Sequence, residues 1–306
     1  MNIVRAEDYH VPVMLQECLE GMQLRPEGCY VDVTFGGGGH SRAILKELQG
    51  AGMLYSFDQD PDAAARAPQQ PCFTFIASNF RHLDRFMDYY DRLGQVDAIL
   101  ADLGVSSHHF DAMERGFSFR DETPLLDMRM NNRAGLSARD LLNSYEEEQL
   151  ADVLYRYGEL KQSRSLAKLI VKARSVAPLQ TVGDLIAALR PALRPDQEKK
   201  LLACIFQALR IEVNGELKAL EELLEASLRV LRPGGRLVVM TYHSLEDRIV
   251  KNFLKGTDDS AEAQIYGTAR SSWRLVTRKP LVASAEELER NPRSRSAKLR
   301  IAERIR

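Results

Sequence analysis

Asp32 closes the apolar run "VDV", four glycines from Gly36 to Gly39 follow within "TFGGGG", and His40 and Ser41 end the stretch. Four consecutive glycines are costly in chain entropy, so they mark backbone that something must approach closely. A triphosphate cradle would carry Gly-Lys-Ser/Thr after the glycines. A dinucleotide fingerprint counted from Gly36 finds Gly38 but meets Ser41 where its third glycine belongs. The carboxylate of Asp32 would repel a pyrophosphate, yet it can pair, directly or through water, with an ammonium group. S-adenosylmethionine carries an ammonium and a sulfonium and no phosphate, and it suits this turn. Asp58, twenty residues after Gly38, suits the two hydroxyls of a ribose. Both S-adenosylmethionine and a nicotinamide dinucleotide contain that ribose, so Asp58 does not separate them.

A second constellation is "ILADLGVSSHHFD", with Asp102 at a strand end followed by Gly104, Ser106, Ser107, His108 and His109. In amino-methyltransferases this position faces the transferring methyl. The exocyclic nitrogen of a base is a poor nucleophile because its lone pair is delocalised into the ring. Positive charge grows on that nitrogen as it attacks, and an acceptor on its N–H stabilises the charge. Asp102 is the expected catalytic acceptor, with Ser106 and Ser107 as helpers. A plain Asp-Leu-Gly turn would leave the same residues. His243 and Ser244 in "TYHSLEDR" either line the same crevice or serve structure, and without a Gly-x-Ser-x-Gly elbow they make a poor hydrolase. The six histidines show no helical i,i+4 pair and no Cys/His spacing, so no metal site is expected.

The elements that must position these groups alternate in type. "CYVDVTF", "MLYSFDQD", "FTFIASNF" and "VDAILADLG" are short apolar strands separated by helical segments, the pattern of a parallel sheet wound with helices. Ligands of such sheets sit at the carboxyl ends of the strands, where Asp32, Asp58, Asn79 and Asp102 fall. After Asp102 a helical stretch begins, with capping boxes at Ser137 to Asp140 and Thr181 to Asp184. Strand character returns at "GRLVVMTYHS", after a helix ending in "LRPGG", and again at "SAKLRIAER". The expected organisation is one α/β domain, residues 1–109 plus 216–306, interrupted by an all-helical insertion over 110–215.

Composition excludes little by itself. With 306 residues and a formal net charge of −1, any basic surface is local. Cys18, Cys29, Cys72 and Cys204 have no paired spacing, which fits a reducing cytoplasmic location. No secretory signal or membrane-spanning run is evident.

Together these residues resemble the ribosomal RNA small subunit methyltransferase H family (MraW). The resemblance rests on "YHVPVML", "DVTFGGGGHS", "FDQDP", "DLGVSS", "ERGFSF", "LDMRM", "FQALRIEVNGEL", "RPGGRL", "HSLEDR" and "NPRSRSAKLRIAER", which occur in family order over nearly the whole chain. It implies a Rossmann-like class I methyltransferase sheet with an inserted helical domain. It implies S-adenosylmethionine as cofactor, contacted at Gly38, Gly39, His40, Asp58, Phe80, Asp102 and His109. It also implies methylation of the N4 of a decoding-centre cytidine in 16S rRNA of the small ribosomal subunit. His109 stands where the family commonly has glutamine, and "KKLLAC" replaces a more polar run before "FQALRI". No membrane partner is implied, and a homodimer is compatible with the sequence without being derivable from it.

Several surfaces could hold RNA. Arg164, Lys168 and Lys172 recur every four residues and share a helix face, which either meets phosphates or is simply solvated. The run from Arg290 to Arg306 carries seven basic residues against one acid, as a charge-protected edge strand, an RNA contact, or both. Arg115, Phe117, Phe119 and Arg129 either clamp an extruded base or pack a loop. Two rivals differ in class. A nicotinamide-dependent dehydrogenase wants a glycine at position 41 and no Asp32. A non-catalytic ribosome-assembly factor has no need of Asp58 or Asp102. A family member acting on another RNA or on DNA is the nearer alternative.

Overall fold

The computed structural model describes residues 12–104, 115–131, 135–256 and 271–305. The chain divides into two compact units, Met1–Gly104 with Leu217–Arg306, and Val105–Glu216.

The first unit is built on seven strands: β1 (Cys29–Asp32), β2 (Met53–Asp58), β3 (Phe73–Ala77), β4 (Val96–Asp102), β5 (Leu231–Thr241), β6 (Trp273–Leu275) and β7 (Lys298–Arg304). Their order is β3-β2-β1-β4-β5-β7-β6. The first five run parallel, and β7 is antiparallel to both β5 and β6. This α/β arrangement, with one reversed strand inserted beside β5, is the Rossmann-like class I methyltransferase sheet. β1 and β4 are apolar in nearly continuous runs because helices cover both sheet faces.

Period-2 alternation sends side chains to opposite faces. Val31, Tyr55, Phe57, Ile99 and Val239 meet α4 (Leu83–Tyr89), α10 (Glu216–Val230) and α11 (Ser244–Lys255) in one cluster. Tyr30, Leu54, Leu100 and Met240 meet α1 (Leu15–Met22), α2 (Gly39–Leu48) and the short α3 (Pro61–Ala64) in another. The α1 helix was not anticipated from the sequence. Its Gly21 lies so close to the sheet that a Cβ there would come within 2.8 Å of Ile301.

Two expectations are corrected. "LRPGG" does not end a helix: α10 stops at Val230, and Leu231 already pairs with Val96 of β4. Pro233, Gly234 and Gly235 sit inside β5, where the register shifts between Val96 and Ala98, because proline and glycine are tolerated in a strand at such an irregularity. Nor is β7 an edge strand, since β5 and β6 flank it and the edge is the three-residue β6.

The second unit packs α5 (Ala138–Ser144), α6 (Glu147–Gly158), α7 (Ser163–Arg174), α8 (Val182–Leu189) and α9 (Glu198–Asn214) around their own apolar core. Both expected capping boxes form: Ser137 with Asp140 opens α5, and Thr181 with Asp184 opens α8. Gly215, with φ +59°, ends α9 in the left-handed conformation that glycine adopts without strain. Among the described residues this unit has no strand, only the isolated bridge between Leu125 and Thr181. Among the described residues, no helix is long and apolar enough to cross a membrane.

Candidate functional site

Alternation places four polar groups on one face at the carboxyl edge of neighbouring strands. Asp32 lies two residues past Tyr30, Asp58 two past Ser56, Asp102 two past Leu100, and Tyr242 two past Met240, so all four share the face covered by α1 and α2. In register, Asp32 stands opposite Ser56 and Leu100, and Asp102 opposite Met240. The row is therefore staggered, with Asp58 and Asp102 reaching further out than Asp32.

Asp32 is 1% exposed and both of its oxygens are engaged. One accepts from the Thr34 N–H at 3.0 Å and the Thr34 hydroxyl at 3.4 Å, and the other from the Ser41 hydroxyl at 2.6 Å. Ser41 in turn lies 2.8 Å from Ser56 Oγ. Burial pushes the Asp32 carboxyl above its ordinary value, while the Ser41 hydroxyl and the neighbouring His40 favour its charge. A direct ammonium contact, one of the two pairings expected from the sequence, is thus closed to it. Asp32 instead pins the first turn of α2 to the end of β1.

The glycine turn is fixed between these anchors. Gly36 N–H donates to Asp58 Oδ2 at 2.8 Å, and Gly38 N–H donates to Phe35 O at 2.7 Å. Gly38 is the N-cap of α2 with φ +77°, and a Cβ there would lie 2.7 Å from both the Phe35 ring and the Arg42 guanidinium. A Cβ on Gly39 would lie 2.4 Å from Pro12. Two of the four glycines are thus required by the protein's own packing. Because Gly38 has no side chain, no side-chain cap covers the first-turn N–H groups of α2. Such an N-terminus favours an anionic group.

Asp58 also accepts from the Asp60 N–H at 2.8 Å, which aims both its oxygens along the β2 edge. Phe80 opens a short 3-10 turn after β3, half-buried against the core. The two loops are tied together where Asn79 Nδ2 donates to Gln59 Oε1 at 2.9 Å.

Asp102 is the centre of the site. Its backbone N–H donates to Thr34 Oγ1 at 2.8 Å, locking β4 to the end of β1. Its Oδ1 accepts from the Tyr242 hydroxyl at 2.8 Å and from the Gly104 N–H at 3.4 Å. Its Oδ2 faces His40 Nδ1 at 3.8 Å, and the side chain keeps 21% exposure. His40 Nε2 lies 3.2 Å from the Val13 carbonyl, which can only accept, so Nε2 carries the proton. The imidazole is buried, and only the His40 backbone remains at the mouth of the turn. Burial raises the Asp102 pKa above the ordinary carboxylate value, opposed by His40 and by the Tyr242 hydroxyl. Burial and the Asp102 charge likewise push the Tyr242 phenol up, so it stays a donor. Tyr242 escaped the sequence reading although it lies beside His243. Its ring is held against Gly104, where a Cβ would come within 2.7 Å of the Tyr242 ring.

Gly38, Gly39, His40, Asp58, Phe80 and Asp102 all fall at the carboxyl ends of β1 to β4 or in the turns just after them. Ser106, Ser107, His108 and His109 lie outside the described residues. His243 is the N-cap of α11 and forms a capping box with Glu246, whose carboxylate also accepts the Tyr242 N–H at 2.9 Å. That assigns His243 a structural task, which supports Tyr242.

In the second unit, Phe117 is buried and Phe119 packs edge-on against Phe206. Arg115 donates to the carbonyls of Arg129 and Met130, and Arg129 forks onto Asp127 at 2.9 and 2.6 Å. These groups pack and brace their loop. Arg164, Lys168 and Lys172 are exposed on α7, while Leu166, Ala167 and Ile170 face the core. Much of the C-terminal basic run is internally engaged: Arg290 with Glu287, Lys298 and Arg300 with Asp247, and Arg304 with the Leu231 carbonyl.

Residues 7–305 match the family model described as the MraW methylase family. The protein named ribosomal RNA small subunit methyltransferase H of Porphyromonas gingivalis is 63% identical over 303 residues, 97% of each chain. Its namesake in Parabacteroides distasonis is 61% identical over 299 residues, covering 97% of this chain and 98% of that one. The one in Bacteroides thetaiotaomicron is 57% identical over 298 residues, 97% of each chain.

Proposed function

The chain belongs to the MraW methylase family, and on that footing we propose that it is an S-adenosylmethionine-dependent methyltransferase of small-subunit ribosomal RNA, acting on the exocyclic N4 of a decoding-centre cytidine. The observation that carries the reading is Asp102: a carboxylate held by the Tyr242 hydroxyl and the Gly104 N–H, faced by His40 and still partly exposed, at the carboxyl edge beside the glycine turn.

The residues present fit the cofactor. When bound, S-adenosylmethionine supplies an electrophilic methyl on a sulfonium. The uncapped first turn of α2, with the Gly39 and His40 N–H groups beside the bare Gly38, receives the carboxylate of its amino-acid end. Asp58, aimed along the strand edge by the Gly36 and Asp60 N–H groups, takes the ribose hydroxyls. Phe80 offers an apolar surface for the adenine. His109 and Asp102 complete the set carried over from the family resemblance.

Asp102 performs the substrate-side work. Its carboxylate accepts an N–H of the cytidine amine, orients the nitrogen lone pair and stabilises the positive charge that grows there. No strong base is needed, since an alkylated amine of this kind sheds its proton readily. The Tyr242 hydroxyl and the Gly104 N–H hold one oxygen in place, leaving the remaining acceptor capacity to the substrate. The Val105–Glu216 unit carries the recognition of RNA, and the exposed Arg164, Lys168 and Lys172 stripe is its phosphate-facing element.

The pH dependence follows from the same contacts. Ionised Asp102 is the working form, so turnover falls as pH drops through its raised pKa. Tyr242 donates to that ionised form and thereby favours it. Tyr242→Phe removes the donor, raises the Asp102 pKa further and moves the acidic limb of kcat to higher pH than in the wild type. Turnover at the alkaline plateau falls by about tenfold or less. Paired kcat–pH profiles check this, and coincident acidic limbs would detach Tyr242 from Asp102.

The reading as a whole is tested by incubating the protein with methyl-labelled S-adenosylmethionine and unmodified small subunits. Label recovered as N4-methylcytidine supports it, whereas label on carbon 5 or on the ribose refutes the assigned acceptor.

A further inference from the structure

A groove of about 270 Å³ lies in the first unit between α11, the segment after β6, and β7. Asp247, Lys251 and Lys255 line it from one face of α11, at successive i,i+4 positions. Arg278 and Lys279 line the opposite wall, and Arg300 rises from β7. The buried Leu254 and Ile301 add apolar surface to its lining.

The charges in this groove do not cancel. Asp247 accepts from Arg300 at 2.7 Å and lies 3.4 Å from Lys298 Nζ, so two cations answer its single charge. Burial works against that charge, but the two cations outweigh it and hold the carboxyl below its usual value. Lys251, Lys255, Arg278 and Lys279 are exposed, and no carboxylate among the described residues offsets them. In a chain of net charge −1, four such cations around one concavity form a local positive field.

We propose that this groove binds the phosphodiester backbone of the RNA substrate, away from the base that enters the site. The inference rests on the assignment of RNA as substrate. Lysines four residues apart on a helix are about 6 Å apart along its axis, comparable to the separation of neighbouring phosphates along an extended strand. The second wall supplies an arginine, which grips phosphate oxygens with two donors, and a lysine, which acts as a point charge. The apolar part of the lining suits the sugar faces of such a strand. The groove is also joined covalently to the site: Tyr242 and His243 lead directly into α11, and Lys251 lies about 10 Å along the helix from Ser244. Sequence alone directs attention to the basic run Arg290–Arg306, but several of those groups are occupied internally, and the cations with no carboxylate partner among the described residues stand beside it.

The test is the quadruple variant Lys251→Gln, Lys255→Gln, Arg278→Gln, Lys279→Gln, compared with the wild type for binding to unmodified small subunits across a salt series. Weaker binding is expected, with a log–log salt slope shallower by about three, from ~0.7–0.9 per lost phosphate contact. Calorimetric affinity for S-adenosylmethionine, melting temperature and kcat at saturating subunits stay at wild-type values. A control carrying Lys46→Gln and Lys218→Gln, both exposed outside the groove, keeps the wild-type slope, and the Lys251→Arg, Lys255→Arg variant retains tight binding. An unchanged slope in the quadruple variant overturns the proposal, as does an equal change per charge in the control. Failure of the wild type itself to methylate subunits would instead overturn the substrate assignment, so the two failures are separable.

Discussion

Asp102→Asn lowers methyl transfer by about a hundred- to a thousandfold, with the loss in kcat rather than in KM for RNA. The amide keeps an oxygen for the Tyr242 hydroxyl and the Gly104 N–H, so the fold around it is retained. What disappears is the negative charge that answers the charge developing on the substrate nitrogen. Because that charge exists only near the transition state, its loss appears in the chemical step. Single-turnover rates on unmodified small subunits, with melting temperature and cofactor affinity measured alongside, check the expectation. A variant that transfers methyl at near wild-type rate would remove Asp102 from the chemistry, however well its position suits the task.

The second large effect falls on stability. Asp32→Ala costs about 3 kcal/mol, because it removes the acceptor shared by the half-buried Thr34 N–H and hydroxyl and the buried Ser41 hydroxyl and leaves those donors without it. The effect spreads along named contacts. Thr34 also receives the Asp102 N–H, and Ser41 sits in the first turn of α2. Loosening them disturbs the glycine turn and the catalytic carboxylate together, so cofactor affinity falls with the melting temperature. Asp32→Asn, which keeps one acceptor, loses less on both readouts. Unchanged stability and unchanged cofactor binding in Asp32→Ala would mean that the turn is held by its glycines and packing alone.

How much of this was legible in the sequence depended on how local the cause was. The parallel strands announced themselves by short apolar runs, and Ser137–Asp140 and Thr181–Asp184 announced helix starts, because a capping box is complete within four residues. The glycine run was legible as a turn that tolerates no side chain. The sequence could not say what excludes one there: Phe35 and Arg42 are near Gly38 in sequence but reach it only once the turn is folded, and the approach of Pro12 to Gly39 is tertiary.

The acids illustrate the same limit. Asp32 and Asp102 look alike as strand-end carboxylates, yet one is buried and consumed by Thr34 and Ser41 while the other keeps a partly exposed side chain. Only the stagger of β1 against β4 separates them. Tyr242 depends on the pairing of β4 with β5 across 140 residues of chain, and nothing near it advertises that contact. One signal was available: Tyr242 stands two residues beyond Met240, on the face that carries the other site groups. The basic C-terminal run shows the opposite case, and only its reading as an edge strand is overturned. Its charge was plain, but its carboxylate and carbonyl partners lie on other elements.

The central claim is that the carboxyl edge bearing Asp102 transfers a methyl from S-adenosylmethionine to one cytidine amine of small-subunit RNA. Its most direct test is to incubate wild-type and Asp102→Asn protein with methyl-labelled cofactor and unmodified small subunits, then digest the RNA and map the labelled fragment. N4-methylcytidine at a single decoding-centre position is expected with the wild type, and almost none with the variant at equal occupancy by cofactor. Cofactor bound by the wild type with no label in the RNA, or label at an atom other than N4, would contradict it.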